Sequence, residues 1–155
     1  MRSTLPFAAI VALAATAAIT GTASASPIQS FHAHNYDACL SSYTNGELTW
    51  RTSTTTRPTA VDVTGYVGLR DPHQCAFPSR PTAVAVFTAY NGGTVVDTQR
   101  ESTLTGSADF RFVLASPSAS PVIVPIDRVT VQVCHTAPVT APTAVTCGDI
   151  STYTP

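Results

Sequence analysis

The chain has 155 residues and carries little charge, since eight Lys and Arg residues oppose nine acidic residues for a formal net charge of −1. Nucleic acids and anionic membrane surfaces attract clustered positive charge, so this composition predicts no nucleic-acid partner. Charged residues make up 11% of the chain, against about 25% in an average soluble protein. We therefore predict a polar, weakly charged surface.

The amino-terminal residues have the pattern of a cleavable signal peptide. Arg2 gives a basic start, and the apolar run of about 15 residues that follows is shorter than the roughly 20 residues of a membrane-spanning helix. Ala23-Ser24-Ala25 then supplies the small residues of a signal-peptidase site. The sequence predicts a signal peptide over residues 1–25 and one secreted, extracellular domain over residues 26–155 without a membrane anchor.

Four cysteines follow the predicted cleavage site, at positions Cys39, Cys75, Cys134 and Cys147. An even number of cysteines in an exported chain predicts two disulfides. Four cysteines allow three pairings, of which proximity in the sequence favours Cys39 with Cys75 and Cys134 with Cys147. The chain lacks the Cys-x-x-Cys spacing that is typical of zinc sites and redox-active dithiols, and we expect no cofactor.

The first predicted strands alternate apolar and polar residues. One strand contains Leu48 and Trp50 and begins after a predicted turn at Asn45-Gly46. The next strand covers 61–69 with valines on one face, and it ends at Asp71-Pro72 because proline cannot donate a hydrogen bond to a neighbouring strand.

A β-hairpin is predicted next, with strands over 82–90 and 94–99. The connecting Asn91-Gly92-Gly93 tolerates the positive φ angles of a tight turn. Because the turn is so short, the two strands should pair antiparallel.

The remaining elements show the same period of two. Strands are predicted over 110–114 and 129–133, with Cys134 on the solvent side or at the margin of its sheet. A short edge strand over 122–124 and a last strand over 145–150 complete the set.

These patterns give about seven or eight short strands with turn signals every 8–12 residues, and no helical stripe. The predicted class is all-β, with an immunoglobulin- or fibronectin-like antiparallel β-sandwich held by two disulfides. A small β-barrel is the alternative, because strand periodicity does not distinguish the two.

Three aromatic residues on or near predicted strands are candidate ligand-binding residues, namely Trp50, Tyr66 and Tyr90. A line of exposed rings can stack on sugars or anchor a protein partner. A single tryptophan in a sandwich is more often a core residue, so Trp50 has a structural alternative.

His32 and His34 with Asp37 are the candidate metal ligands, because alternate residues of an extended chain project to one face. Their alternative is a polar segment ahead of the first cysteine. His73 and His135 are interpreted as loop histidines. The chain lacks a Gly-x-Ser-x-Gly motif, but a buried histidine within hydrogen-bond reach of Ser or Asp would favour a hydrolase.

The signal peptide, the strand between Cys39 and Cys75, and the runs 110–112 and 127–135 resemble small secreted actinobacterial proteins of unknown function. The resemblance covers most of the mature chain as a pattern and implies no active-site residue. The sequence therefore predicts a monomeric secreted binding or structural module whose partner is an extracellular protein, a glycan or a small ligand. A small secreted hydrolase and a histidine-based metal binder are the alternatives.

Overall fold

The computed structural model describes residues 27–52, 57–77, 80–117, 122–137 and 144–155. The predicted signal peptide lies outside these residues. Within them there is no helix, and so none that is long and apolar enough to cross a membrane.

The described residues form antiparallel strands whose alternation of buried and exposed side chains follows the sequence pattern. In chain order they are β1 (Ile28–Tyr36), β2 (Ser41–Thr52), β3 (Pro58–Arg70), β4 (Thr82–Asn91), β5 (Thr94–Thr103), β6 (Gly106–Ala115), β7 (Arg128–Ala137), β8 (Ala144–Cys147) and β9 (Ser151–Tyr153).

The strands form two sheets that pack face to face. Sheet A has the order β1-β2-β3-β6, and sheet B has the order β5-β4-β7-β8 with β9 also paired to β7. The sheets do not close on each other. The predicted β-sandwich is therefore confirmed, and the barrel alternative is wrong.

The core lies between the sheets and is centred on aromatic rings. The Phe87 ring of sheet B contacts three rings of sheet A edge-on, with centroid distances of 5.4 Å to Phe31, 5.2 Å to Phe110 and 5.1 Å to Phe112. Trp50 is fully buried in the same cluster. Such edge-to-face pairs add roughly 0.5–1.5 kcal/mol each beyond the burial of their area.

Both predicted disulfide pairings are confirmed. Cys39–Cys75 joins the segment before β2 to the segment after β3, and Cys134–Cys147 joins β7 to β8. Structural disulfides are typical of proteins that mature in an oxidising compartment.

The predicted turn at Asn45-Gly46 is wrong, because both residues lie in the middle of β2. Gly46 pairs directly with Gly65 of β3. A Cβ atom at position 46 would overlap the carbonyl oxygen of Thr64 and would lie 2.8 Å from Cζ of Phe31. The glycine therefore makes room for a core ring and a neighbouring strand instead of supplying a turn.

Three further segments differ from the sequence prediction. The supposed polar segment before Cys39 is the edge strand β1. Residues 122–124 form no strand, and the backbone N–H of Val124 donates to Ser116 Oγ at 2.9 Å. The last predicted strand, over 145–150, is confirmed only in part, because β8 ends at Cys147 and residues 148–150 form no strand. β9 follows as an additional strand and pairs with a different part of β7.

Candidate functional site

A buried polar network surrounds His135. The interpretation of His135 as a loop histidine is wrong, since it lies in β7 and its side chain is fully buried. Alternation places it on the inner side of sheet B, next to the outward-directed Cys134. Its partners come from the end of β1, the β1–β2 connection and the start of β2, on the side of sheet A.

The hydrogen bonds of Asn35 fix the orientation of this network. The Asn35 Nδ2 group donates to the Thr146 carbonyl oxygen at 2.8 Å, and it lies 3.1 Å from His135 Nδ1. Because the amide presents a donor to Nδ1, we assign Nδ1 as an acceptor and place the ring proton on Nε2. Nε2 then donates to Oδ2 of Asp37 at 2.9 Å.

Asp37 joins the network to the turn that carries the first cysteine. Its Oδ1 atom accepts from the backbone N–H groups of Cys39 and Leu40, both at 2.7 Å. Partial burial raises the pKa of this carboxyl, but the hydrogen bonds from Leu40, Cys39 and His135 together hold the pKa below its ordinary value of 3.8. The carboxylate is therefore a structural acceptor that caps the turn.

Ser42 completes an apparent Ser–His–Asp arrangement, with its Oγ atom 3.0 Å from His135 Nδ1. This contact meets the condition set for the hydrolase alternative. However, Ser42 is fully buried, whereas the Asp37 side chain keeps 35% of its exposure. A nucleophile must reach its substrate, and here the acid faces solvent while the hydroxyl does not, so we assign the group to the support of the fold.

The structure does not bring the three candidate metal ligands together. His32 and His34 both project from the exposed side of β1, but the carboxylate of Asp37 binds the turn and His135 instead. In the part of the chain that the structure describes, no group of three or more His, Cys, Asp or Glu residues is placed to hold a metal ion. Zinc and copper sites usually need at least three protein ligands.

The three candidate aromatic residues lie in three different environments. Trp50 is in the core, as its structural alternative predicts, and is not available to a ligand. Tyr90 lies in sheet B with its ring under the Arg128 guanidinium at 4.4 Å. Tyr66 is exposed on the outer side of sheet A. Only Tyr66 therefore lies among other exposed rings.

The strand register gathers these rings on the outer side of sheet A. His34 pairs with Tyr43, and His32 pairs with Asn45, which in turn pairs with Tyr66. Directly paired residues of antiparallel strands project to the same side of a sheet. We call this surface the aromatic face, and it consists of His32, His34, Tyr36, Tyr43 and Tyr66.

The rings of the aromatic face contact one another. His34 and Tyr36 stack with centroids 5.6 Å apart, while Tyr43 and Tyr66 meet at 82° with centroids 6.1 Å apart. The Tyr43 ring covers Gly68, where a Cβ atom would lie 2.6 Å from the phenolic oxygen. Tyr36 keeps 71% of its exposure and Tyr66 keeps 38%; His32 and His34 are exposed as well, and Tyr43 is half-buried.

Arg70 and Asn45 hold two of these rings in place. The Arg70 guanidinium carbon lies 5.2 Å from the centroid of the Tyr43 ring, within the range of a cation–π contact. Asn45 Nδ2 donates to the Tyr66 hydroxyl at 3.4 Å. These contacts restrict Tyr43 and Tyr66 before any ligand arrives, which lowers the entropy cost of binding.

A polar trough of about 600 Å³ continues the outer side of sheet A beyond the aromatic face. Its polar lining residues are Glu47, Thr49, Arg51, Asp62, Thr64 and Arg111. Arg51 and Asp62 form an ion pair across β2 and β3. The trough thus offers donors and acceptors side by side without an excess of either charge.

Tyr36 and Tyr43 were missed as site residues by the sequence reasoning. The sequence of β1 contains a pattern that indicates a strand with an exposed aromatic side. His32, His34 and Tyr36 alternate there with the buried residues Phe31, Ala33 and Asn35. The sequence alone hides this pattern, because β1 has the composition of a polar segment and Asn45-Gly46, in the middle of β2, has the pattern of a turn. Without these strands, no register could place their side chains beside Tyr66.

Comparisons of the chain with protein-family models, with curated proteins and with solved structures gave no match.

Proposed function

We propose that this protein is a secreted binding module that holds a glycan on the aromatic face of sheet A. The observation that supports this is the set of five side chains, contributed by three adjacent strands, that display aromatic rings on one exposed surface. Buried rings serve the core, whereas these rings lie on the outer side of the sheet, where Arg70 contacts Tyr43 and Asn45 contacts Tyr66.

The chemistry of the aromatic face suits sugars. One face of a pyranose ring presents C–H groups with partial positive charge, and the face of an aromatic ring is partly negative. The hydroxyl groups around the edge of the sugar need both donors and acceptors. Phenol, imidazole and amide groups supply both on this surface.

The charges of the surrounding sheet favour a neutral ligand. On the outer side of sheet A, the described strands carry both signs in balance, with Arg51, Arg70 and Arg111 beside Glu47, Asp62 and Asp109. An anionic or cationic partner would be expected to select a surface of opposite sign. A neutral polysaccharide therefore fits better than a charged polymer.

The polar trough extends the proposed site. It shares β2 and β3 with the aromatic face, so that a chain of sugars running along these two strands would meet rings first and hydrogen-bonding side chains next. This division between stacking and hydrogen bonding is typical of sites that bind small polar ligands.

The finer fold class and the compartment are part of the proposal. Of the seven strands from β2 to β8, β2, β3 and β6 belong to sheet A, and β4, β5, β7 and β8 belong to sheet B. The fourth of these seven strands, β5, therefore lies in the second sheet. An antibody constant domain places the fourth strand in the first sheet, so this arrangement favours the fibronectin-like member of the predicted class. The signal-peptide pattern and the two disulfides support secretion.

The test is retention of the oxidised mature protein on insoluble cellulose, chitin, xylan, starch and β-1,3-glucan. The wild type should bind at least one of these polymers. Tyr66→Ala and Tyr43→Ala should each weaken that binding about tenfold, which corresponds to ~1.4 kcal/mol. Melting temperatures close to that of the wild type would show that the variants remain folded.

Tyr90→Ala is the matched control, because it removes a tyrosine from sheet B. It should bind as the wild type does. The proposal is wrong if none of the polymers retains the wild type, or if Tyr90→Ala weakens binding as much as Tyr66→Ala does.

A further inference from the structure

A small polar pocket lies where sheet A ends, at the edge strand β1. It has a volume of about 170 Å³ and is lined by His34, Asn35, Tyr36, Gly148 and Asp149. Two of these residues, His34 and Tyr36, also belong to the aromatic face. The end pocket, as we call it, therefore continues the aromatic face beyond the last strand of the sheet.

Gly148 brings the Asp149 carboxylate to this edge. A Cβ atom at position 148 would overlap the carbonyl oxygen of His34, so any other residue would push the segment away from β1. The N–H of Gly148 donates to the Val133 carbonyl at 2.9 Å, and its own carbonyl accepts from Gln132 Nε2 at 3.0 Å. The close approach of the two segments is thus fixed by β7.

The buried network holds the other side of the end pocket. Asn35, which lines the pocket, binds the Thr146 carbonyl at 2.8 Å and lies 3.1 Å from Nδ1 of His135. The next residue, Cys147, is tied to Cys134 by a disulfide. The walls are therefore set before a ligand binds, and little ordering entropy would be lost on binding.

We propose that the end pocket binds the terminal sugar unit of the glycan, an inference that rests on the proposed function. A terminal unit has a free hydroxyl where an interior unit has a glycosidic bond. Two adjacent hydroxyls donate to the two oxygens of the Asp149 carboxylate, which form stronger hydrogen bonds than neutral acceptors do. The rings of His34 and Tyr36 contact the C–H groups of the same unit.

The size and position of the end pocket select a chain end. Pockets for drug-sized ligands begin at about 300 Å³, and the smaller volume here fits a single sugar unit. The segment at Gly148 and Asp149 lies against the edge of β1 and lines the pocket there. A glycan that crosses the aromatic face from Tyr66 toward β1 therefore ends there.

The test compares chains of different length by titration calorimetry, with short cello-, xylo-, chito-, malto- and laminari-oligosaccharides and the polymers of the same linkages as probes. Recognition of ends predicts that the affinity per mole of chain ends is similar for a short chain and for its polymer. Asp149→Asn should lower the affinity about tenfold or more. Glu101→Gln, in β5 of sheet B, is the matched control and should bind as the wild type does.

The outcomes separate this inference from the proposed function. If the wild type binds in proportion to the total number of sugar units and Asp149→Asn binds equally well, the end-pocket assignment is wrong while the aromatic face stands. If no probe binds the wild type, both proposals are wrong. If affinity follows the number of ends and Asp149→Asn loses it, both are supported.

Discussion

Ser42 shows how a single buried hydroxyl contributes to the fold. Its Oγ atom lies 3.0 Å from His135 Nδ1 and 3.2 Å from the Asn35 carbonyl oxygen, with no exposure to solvent. Ser42, His135 and Asp37 are the residue types of a catalytic triad. The burial of Ser42, Asn35 and His135 indicates that they join β1, β2 and β7 across the sandwich.

We expect Ser42→Ala to lower the free energy of unfolding by about 1–3 kcal/mol, because a buried group loses a hydrogen-bond partner. Urea unfolding followed by tryptophan fluorescence measures this loss. Ser30→Ala, on the exposed side of β1, is the matched control and should change stability little. If Ser42→Ala has the same free energy of unfolding as the wild type, the structural role of Ser42 is wrong.

Asp37 makes stability depend on pH in acid. Its pKa is lower in the folded protein than the ordinary value of 3.8, so the ionised carboxylate stabilises the folded state. That contribution is complete above about pH 5 and is lost as the pH falls through 3.8 toward the lower folded pKa. Stability falls in acid because the hydrogen bonds of the folded state favour the ionised carboxylate, which protonation removes.

The measurement is the difference in unfolding free energy between the wild type and Asp37→Asn as a function of pH. We expect a positive difference at neutral pH that shrinks in the acid range, since the wild-type carboxylate is then protonated. A difference that stays constant from about pH 6 to about pH 3 would contradict this assignment.

At the scale of elements, the alternation of apolar residues predicted most strands because a half-buried strand must repeat every two residues. β3, β4, β6 and β7 follow that rule, and most of their inner residues are buried, although Ala108 and Phe112 of β6 are only partly buried. The rule failed at β1 and at the start of β2, where polar and aromatic side chains occupy the exposed side and small or polar residues occupy part of the inner side. These strands are identified by their partners, which a single sequence does not display.

The glycine pair between β2 and β3 is the sharpest test of the element packing. Gly46→Ala should lower the free energy of unfolding by about 1–3 kcal/mol or more, because the new methyl group meets backbone atoms and the Phe31 ring. Gly93→Ala is the matched control, since a Cβ atom there meets nothing within 4 Å. Equal stability of the two variants would mean that the close approach of β2 and β3 is wrong.

At the scale of the whole molecule, the two disulfides restrict loops of different length. Cys39–Cys75 spans 36 residues and Cys134–Cys147 spans 13. Loop-closure entropy in the unfolded chain gives roughly 4 kcal/mol for the longer loop and roughly 3 kcal/mol for the shorter loop.

We therefore expect the double variant Cys39→Ala with Cys75→Ala to lose more stability than Cys134→Ala with Cys147→Ala. Chemical denaturation of the two oxidised variants beside the wild type measures the difference. The reverse order would show that native contacts around the second disulfide outweigh the effect on the unfolded chain.

The sequence by itself determined the all-β class and the position of most strands, and it favoured the disulfide pairing that the structure shows. Each of these depends on residues near one another in the chain, through the period of a strand or the spacing of cysteines. Only the tertiary structure decided which exposed rings share a surface, that His135 is buried beside Ser42 and Asp37, and that Gly148 touches β1. These contacts join residues from different strands and sheets, so they depend on strand order and register, which local patterns do not encode.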